Sequence, residues 1–223
     1  MADARYSAIL FDIDGTLVDS NYLHVDAWAR AFDDVHHPVP AWRIHRAIGM
    51  DSGTLLETLL EDDANRLGDE AKERHSAHYE QQKPRLRAFD GARELLRTLA
   101  DRGLKVVLAT SAPESEFAAL REVLGVDDAV AEFTTSEDVS TAKPAPDVVQ
   151  VALKKAGVGA GEALMVGDAA WDMQAAGRAG VDAIGVRTGG IAPAELQDAG
   201  ALHVYDDVAA LLAGLDESLI SRG

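Results

Sequence analysis

An aspartate pair separated by a single residue stands directly after an apolar segment near the start of this chain. Residues 6–11 are apolar apart from Ser7, and Asp12 and Asp14 follow in the pentad Asp-Ile-Asp-Gly-Thr. Two carboxylates this close repel each other, so a divalent cation that prefers oxygen ligands, such as Mg²⁺, is the simplest means of holding both at one site. The glycine and threonine that follow allow the chain to turn tightly away. The pattern therefore indicates a cation site.

A candidate anion-binding turn follows another apolar stretch, residues 105–110, which ends in Thr110. A helix is predicted to begin near Pro113, immediately after Ser111 and Ala112. Because the first turn of a helix presents free N–H groups and a positive dipole, the Thr110 hydroxyl and the two following backbone N–H groups can face a phosphate. The same residues could instead merely cap the helix, so the spacing by itself leaves both interpretations open.

Charged residues further along the chain supply the remaining candidates. Lys143 precedes a proline in a loop, and Asp168 and Asp172 follow an apolar stretch at residues 163–166. Taken alone, Lys143 would be an exposed loop lysine, and Asp172 an acid favoured at the start of a helix by the helix dipole. These residue types by themselves leave both kinds of interpretation open.

The elements that must position these residues alternate between buried strands and helices. Uninterrupted apolar runs bounded by polar turns are typical of strands covered on both faces, which belong to parallel sheets. We therefore predict a doubly wound α/β sheet, a Rossmann-like core whose ligands bind outside the carboxyl ends of the strands. The predicted strands are residues 6–11, 105–110, 163–166, 182–186 and 202–205, and the predicted helices are residues 91–102, 113–124, 146–157, 172–179 and 208–212.

Residues 20–84 interrupt this alternation, because they show amphipathic helical patterns and no convincing buried strand. We expect them to form a helical cap domain, inserted into a catalytic core made of residues 1–19 and 85–223. The two connections, near residues 15–20 and 83–90, should lie side by side and could serve as a hinge. The predicted cap helices cover residues 22–32, begin near residues 40 and 52, and cover residues 69–82.

Taken together, these motifs resemble the haloacid dehalogenase (HAD) superfamily, in particular its helical-cap subgroup of phosphoglycolate phosphatase-like and β-phosphoglucomutase-like members. Proteins of that family carry an Asp-x-Asp motif after the first strand, a Thr or Ser after the second, then a lysine, and acidic residues after the fourth. Here Asp12, Asp14, Thr110, Lys143 and Asp168 stand in that order, over nearly the whole chain. The resemblance implies a phosphatase acting on a small phosphorylated metabolite, such as a sugar phosphate or phosphoglycolate.

The resemblance also implies a role for each residue. Asp12 would attack phosphorus and form an aspartyl-phosphate, and Asp14 would be the general acid and base that protonates the departing alcohol and then activates water. Mg²⁺ would be bound by an oxygen of Asp12, the backbone carbonyl of Asp14 and the carboxylate of Asp168, with Asp172 as a direct or indirect ligand. Lys143 would neutralise charge on the phosphate and on the nucleophile.

The predicted cap contains a few residues that could contact the substrate. A His-x-x-Ala-Trp pattern that begins at His24 matches one found in capped phosphatases and in β-phosphoglucomutase, where the histidine is linked to hinge closure and to the general acid. Arg43, His45, Arg46 and Met50 lie in or just after the second predicted cap helix. We expect Arg46 and Met50 to meet the leaving group of the substrate when the cap closes, although any one of these residues could lie on an ordinary solvated helix face.

Other functions fit parts of the pattern. A sugar-phosphate mutase uses the same core, but its cap loop carries a substrate-binding arginine that residues 49–52 lack. A phosphonatase requires a cap lysine for a Schiff base, and the only lysine between residues 20 and 82, Lys72, lies inside a predicted helix. A non-catalytic phosphate-binding module would have no use for an array of carboxylates, and dehalogenases lack the second aspartate, Asp14. A magnesium-dependent phosphatase is therefore the leading interpretation.

Composition limits the partners. The 223 residues include 21 Lys and Arg against 38 Asp and Glu, a formal net charge of −17. This acidic surface should repel nucleic acid and anionic membranes, so we expect neither as a partner. Positive charge for an anionic substrate must then come from a cation and a few basic residues. The chain has no cysteine, and its first residues contain no apolar run as long as a signal peptide or membrane span, so we expect a cytoplasmic protein.

Overall fold

The computed structural model describes residues 5–139 and 143–221. The parts of the predicted core at residues 1–4, 140–142 and 222–223 lie outside the described residues. Across the described residues the chain forms a six-stranded parallel sheet. The strands are β1 (Ala8–Phe11), β2 (Lys105–Ala109), β3 (Glu132–Thr134), β4 (Ala163–Gly167), β5 (Asp182–Val186) and β6 (Ala201–Tyr205).

The strand order β3-β2-β1-β4-β5-β6 places β1 where the direction of the connections changes. β1 pairs with β2 on one side and with β4 on the other, and both pairings are parallel. At such a point the loops that leave the carboxyl ends of the two strands diverge and leave a crevice for a ligand. The predicted doubly wound α/β fold is therefore confirmed, and the residues after β1 and β4 lie beside one another.

Helices cover both faces of the sheet and also fill the segment between β1 and β2. The sequence patterns predict most of these elements, but they miss β3, which has only three residues and begins with a glutamate, and the six-residue helix α9. Among the described residues, no helix combines the length and the apolar character that crossing a membrane requires. The helices are α1 (Asn21–Asp34), α2 (Ala41–Ala47), α3 (Ser52–Leu60), α4 (Ala64–Gln82), α5 (Ala92–Asp101), α6 (Glu114–Leu124), α7 (Asp147–Ala156), α8 (Ala170–Ala179), α9 (Pro193–Asp198) and α10 (Val208–Ala213).

Alternate residues of β1 face the two layers of helices. Ile9 and Phe11 pack in a cluster with side chains of α5, α6 and α10, whereas Ala8 and Leu10 pack with side chains of α7, α8 and α9. All four residues of the strand are completely buried. Burial on both faces explains why the strand is apolar at every position rather than at every second position.

The helices α1 to α4 pack around a hydrophobic cluster of their own. Trp28 and Phe32 of α1, Ile44 of α2, Leu59 of α3 and Ala71 of α4 are all buried in it. This cluster is separate from the two that lie against the sheet. The amphipathic patterns in this part of the sequence therefore reflect packing among neighbouring helices.

The chain enters and leaves this helical segment through two lengths of backbone that lie side by side. Val18 and Ala88 form an antiparallel bridge. The backbone N–H of Asp19 donates to the carbonyl oxygen of Arg87 at 2.9 Å. The two connections are thus adjacent, as the sequence predicts.

The layered packing predicts unequal costs for the same substitution at two leucines. Leu95 in α5 is fully buried, whereas Leu202 on the edge strand β6 is 55% exposed. We expect Leu95→Ala to lower the free energy of unfolding by about 2–5 kcal/mol, because it removes buried methyl groups and leaves a cavity. Leu202→Ala, the matched control, should change that free energy by no more than about 0.5 kcal/mol. Urea unfolding measures both variants, and equal losses would contradict the packing described.

Candidate active site

Three buried carboxylates meet at the carboxyl edge of the sheet. Asp12 follows β1, Asp168 follows β4, and Asp172 lies in the first turn of α8. One oxygen from each carboxylate lies within 4.8 Å of the other two. The three residues are 8%, 2% and 2% exposed, respectively. A set of oxygen donors of this kind suits a hard divalent cation.

Lys143 lies between two of these acids. Its Nζ donates to Oδ1 of Asp12 and to Oδ1 of Asp172, the latter at 2.7 Å, and the lysine is 3% exposed. The other oxygen of Asp172 accepts a hydrogen bond from the backbone N–H of Ala169 at 3.0 Å. Asp172 therefore holds Lys143 and the start of α8, which favours an indirect over a direct contact with a cation.

The two oxygens of Asp168 are each bound by a side chain to which the sequence patterns assign no such contact. Thr16 donates from Oγ1 to Oδ1 of Asp168 at 2.7 Å, and Asn21 donates from Nδ2 to Oδ2 at 2.8 Å. Two glycines make room for these contacts. A Cβ at Gly189 would lie 1.9 Å from Oδ2 of Asp168, and one at Gly15, where φ is +77°, would lie 2.5 Å from it. The glycine of the pentad is therefore required both by backbone conformation and by space.

Asp14 has a different set of partners. Ser20 donates from Oγ to Oδ1 of Asp14 at 2.6 Å, and Nε2 of His24 lies 3.6 Å from the same oxygen. Nδ1 of His24 lies 3.1 Å from Nε2 of His75. The ring of His24 also stacks on Tyr79, with the ring centroids 3.9 Å apart. The structure thus brings His24 and Asp14 together, and it surrounds the histidine with side chains from α4.

Burial raises the pKa of Asp12 and of Asp168. It is the main reason that the pKa of Asp12 lies well above its usual value, with Lys143 opposing the shift and the neighbouring carboxylates adding to it. Burial and then the charge of Asp172 raise the pKa of Asp168 to about 7. Burial would lower the pKa of Lys143, but the charges of Asp12 and Asp172 raise it, so the lysine stays charged. An added divalent cation would oppose the rise in the pKa of Asp12 and of Asp168 and favour their ionised carboxylates.

The pKa of Asp14 shifts in the opposite direction. Burial would raise it, but the hydrogen bond and charge of His24, together with Ser20, hold it below its usual value. For His24 the two effects are reversed. Burial would lower its pKa, but the hydrogen bond and charge of Asp14 raise it. The two groups therefore stabilise an imidazolium–carboxylate pair. Burial and the charge of His24 lower the pKa of His75 to about 2, so His75 is neutral.

Thr110, Ser111 and Ala112 join β2 to α6 and line the same cavity as Asp12. Oγ1 of Thr110 accepts a hydrogen bond from the backbone N–H of Ala112 at 3.0 Å. The sequence predicts that both groups face a phosphate, but in this conformation they are bonded to each other. A threonine hydroxyl readily forms such a local bond with a nearby N–H. Phosphate binding at this turn would therefore require the Ala112 N–H to share or exchange its acceptor.

A cavity of about 720 Å³ lies between the sheet edge and the helices α1, α3 and α4. Asp12 and Lys143 line it on the side of the sheet. His24 of α1, Met50 in the loop after α2 and Lys72 of α4 line it on the side of the helices. Its size suits a small molecule. The cavity therefore connects the acid cluster with two of the predicted cap residues, His24 and Met50.

The third predicted cap residue, Arg46, is not among the described residues that line the cavity. Its guanidinium binds the carboxylate of Glu195 in α9 through both oxygens, one of them at 2.9 Å. Glu195, which is distant in sequence, therefore binds the arginine that is predicted from the sequence to contact the substrate. Conversely, Lys72 and Glu116 line the cavity without having been assigned a substrate contact, because nothing in their helical patterns marks them.

Comparisons with known proteins agree with this fold and site. Residues 6–180 match the family described as haloacid dehalogenase-like hydrolase. Over 92% of its length the chain is 34% identical to a phosphoglycolate phosphatase from Rhodospirillum rubrum, of which the match covers 88%.

Solved structures show the same likeness. A hydrolase from Pseudomonas syringae is 40% identical with a TM-score of 0.89, and the match covers 95% of this chain and 98% of that one. A putative β-phosphoglucomutase from Bacteroides vulgatus has a TM-score of 0.87 over 99% of this chain and 93% of its own, but at 21% identity it shows a shared fold alone. The family match covers most of the sequence, and the relative from Rhodospirillum rubrum is similar over nearly the whole of both chains. The chain therefore belongs to the haloacid dehalogenase-like hydrolases.

Proposed function

We propose that this hydrolase is a magnesium-dependent phosphomonoesterase that hydrolyses a small phosphorylated metabolite through an aspartyl-phosphate intermediate. The observation that carries the proposal is the contact between Lys143 and Asp12, within a buried acid cluster that opens on the cavity. A carboxylate held by an ammonium group is suited to attack an anionic centre, because the ammonium offsets the repulsion. The similarity to the phosphoglycolate phosphatase of Rhodospirillum rubrum supports a phosphate ester as the substrate.

The acid cluster fits a hard divalent cation. Mg²⁺ would be held by an oxygen of Asp12, the backbone carbonyl of Asp14 and the carboxylate of Asp168, while Asp172 acts through Lys143. Two observations support this fit: the convergence of buried oxygens from Asp12 and Asp168, with one from Asp172 beside them, and the pKa of Asp168, which burial and the charge of Asp172 raise to about 7. When bound, the ion supplies the positive charge that offsets the cluster and the phosphoryl oxygens.

Asp12 supplies the nucleophile. One of its carboxylate oxygens attacks phosphorus, the bond between phosphorus and the alcohol oxygen breaks, and the alcohol oxygen takes up a proton. The product of this half-reaction is an aspartyl-phosphate. Lys143, fixed by Asp172 at 2.7 Å, holds the attacking carboxylate in place and favours its ionised form.

The Asp14–His24 pair handles the proton. His24 has a pKa that burial would lower but that Asp14 raises, so at rest the pair holds one proton between its two members. In the first half-reaction the pair gives that proton to the departing alcohol oxygen. In the second, Asp14 takes a proton from the water that attacks phosphorus, which breaks the bond to Asp12 and releases inorganic phosphate. Asp14 thus acts together with His24 rather than alone.

Residues 20–84 form the cap in this proposal, and residues 1–19 and 85–223 form the core. The separate hydrophobic cluster of α1 to α4 and the paired connections at Val18 and Ala88 support this division. A cap that closes over the cavity excludes bulk water from the phosphoryl group and limits the size of the substrate. The substrate class is therefore a small phosphate ester, such as a sugar phosphate or phosphoglycolate.

A sugar-phosphate mutase is less well supported. The similarity to a β-phosphoglucomutase stands at 21% identity and supports the fold alone. Among the described residues, no arginine of α1 to α4 lines the cavity, and Arg46 is bound by Glu195. The products separate the two reactions, since a phosphatase releases inorganic phosphate and a mutase forms an isomeric sugar phosphate when a bisphosphate primer is present.

Removal of the cation should abolish activity reversibly. We expect p-nitrophenyl phosphate, and one or more members of a panel of phosphorylated metabolites, to be hydrolysed with Mg²⁺ and not after treatment with EDTA. Activity should return when Mg²⁺ is restored, because the proposed ligands Asp12 and Asp168 are oxygen donors that bind the ion reversibly. Phosphate release measures the rate. Equal rates with and without EDTA would contradict a metal requirement. If no ester is hydrolysed with Mg²⁺, the proposed phosphatase activity is wrong.

Replacing the nucleophile should remove turnover and leave the fold. We expect Asp12→Asn to lower kcat by roughly 10³-fold or more, because an amide cannot form the acyl phosphate. Asp33→Asn, an exposed position on α1, is the matched control and should keep wild-type kcat. Steady-state phosphate release and circular dichroism test both variants. A folded Asp12→Asn enzyme with wild-type kcat would show that another residue is the nucleophile.

Replacing His24 should move the pH profile. The catalytic base Asp14 must be deprotonated, so activity is lost as pH falls through its pKa. His24→Asn removes the charge that holds the pKa of Asp14 below its usual value, and burial then raises that pKa. We therefore expect the acidic limb of the kcat profile to move to higher pH. His203→Asn, exposed on β6, is the control and should leave the limb in place. An unmoved limb in His24→Asn would contradict the pairing.

A further inference from the structure

Asn21, the first residue of α1, ties that helix to the acid cluster. Its side-chain Nδ2 donates to Oδ2 of Asp168 at 2.8 Å. Both residues are buried, Asn21 at 5% exposure and Asp168 at 2%. Asn21 also lines the cavity that contains Asp12 and Lys143. The contact therefore lies inside the site and not on the surface of the protein.

The chemistry of the two groups fixes the orientation of the Asn21 amide. An ionised carboxylate only accepts hydrogen bonds, so the NH₂ group of the amide must face Asp168 and the carbonyl oxygen must face away from it. That oxygen, Oδ1, is buried and has no hydrogen-bond partner among the described residues. A buried carbonyl without a donor is unfavourable. An ordered water within the site is the simplest donor that could satisfy it.

Thr16 and Asn21 together fix Asp168. The hydroxyl of Thr16 holds Oδ1 at 2.7 Å, while the Asn21 amide holds Oδ2. A carboxylate oxygen has two lone-pair positions, so each of these oxygens keeps capacity for a cation. Gly15 leaves room for the arrangement, since a Cβ there would lie 2.1 Å from Nδ2 of Asn21. The pentad and the start of α1 are thus built around the same carboxylate.

We propose that Asn21 is a positioning residue of the cation site, which orients Asp168 through its amide NH₂ group and accepts a hydrogen bond from a water at the site through Oδ1. The inference rests on the magnesium dependence proposed above. Hydrogen bonds to a ligating carboxylate fix its direction and tune its affinity, and the loss of such a partner typically weakens metal binding about 10–100-fold. The hydrogen bond from Asn21 also opposes the rise in the pKa of Asp168 that burial and Asp172 cause.

Binding of Mg²⁺ to the substrate-free full chain tests this role. Isothermal calorimetry and the rise of the unfolding temperature with Mg²⁺ concentration would be measured for the wild type, Asn21→Leu and Asn21→Ala. Leucine keeps the approximate shape of asparagine without its polar atoms. We expect both variants to bind Mg²⁺ about 10–100-fold more weakly than the wild type. Excess Mg²⁺ should restore most of kcat, because the variants lose affinity for the ion and not the reacting groups.

Tyr22→Phe is the control, since Tyr22 is the next residue of α1 and is 55% exposed. Its affinity for Mg²⁺ should stay within about twofold of the wild type. Unfolding in EDTA separates a structural role from the proposed one, because a residue that only stabilises α1 would lower the unfolding temperature without changing Mg²⁺ affinity. If Asn21→Leu does not fold, Asn21→Ala decides. Wild-type affinity in a folded Asn21 variant would overturn the inference alone, whereas a wild type that does not bind Mg²⁺ would overturn the proposed cofactor as well.

Discussion

The ammonium group of Lys143 between Asp12 and Asp172 is the interaction on which the rest of the site depends. Burying carboxylates away from water is costly unless a positive charge compensates for it. Lys143 is the compensation that the chain itself provides, but burial still raises the pKa of both Asp12 and Asp168. The site by itself therefore favours the binding of a positive ion. In the proposed function, that ion would offset the charge of an anionic substrate at a chain whose net charge is −17.

The topology of the parallel sheet brings these charged residues together. Because β1 lies next to β4, the acids that follow the two strands converge at one edge of the sheet. The start of α8 adds Asp172, whose second oxygen is held by a backbone N–H, so the partner of Lys143 is itself fixed. Asp14 and His24, the proposed proton-handling pair, have their own partners, and the pKa of Asp14 shifts in the sense opposite to that of Asp12 and Asp168. Separate surroundings therefore give carboxylates that lie close in sequence two different proposed roles.

Much of this arrangement can be predicted from the sequence, because residues that are neighbours along the chain mark the ends of the strands. An apolar run followed by two aspartates fixes the end of a buried strand, and the parallel sheet then predicts which loops meet. The sequence does not reveal contacts between polar side chains that are distant along the chain. The capture of Arg46 by Glu195 and the bond from Asn21 to Asp168 both depend on the packed positions of α1, α2 and α9. The strand β3 escapes prediction for a different reason, since it is short and is held mainly by its pairing with β2.

The most direct test of the account is the stereochemical course at phosphorus. A phosphorothioate ester of the substrate, made chiral at phosphorus by sulfur and two oxygen isotopes, would be hydrolysed by the wild-type enzyme with Mg²⁺ in water that carries the third isotope, and the configuration of the inorganic thiophosphate would be determined. Transfer to Asp12 inverts the configuration once, and attack by water on the aspartyl-phosphate inverts it again. The account therefore predicts net retention. Net inversion would mean that water attacks the substrate directly, and it would contradict the role of Asp12 as a covalent nucleophile.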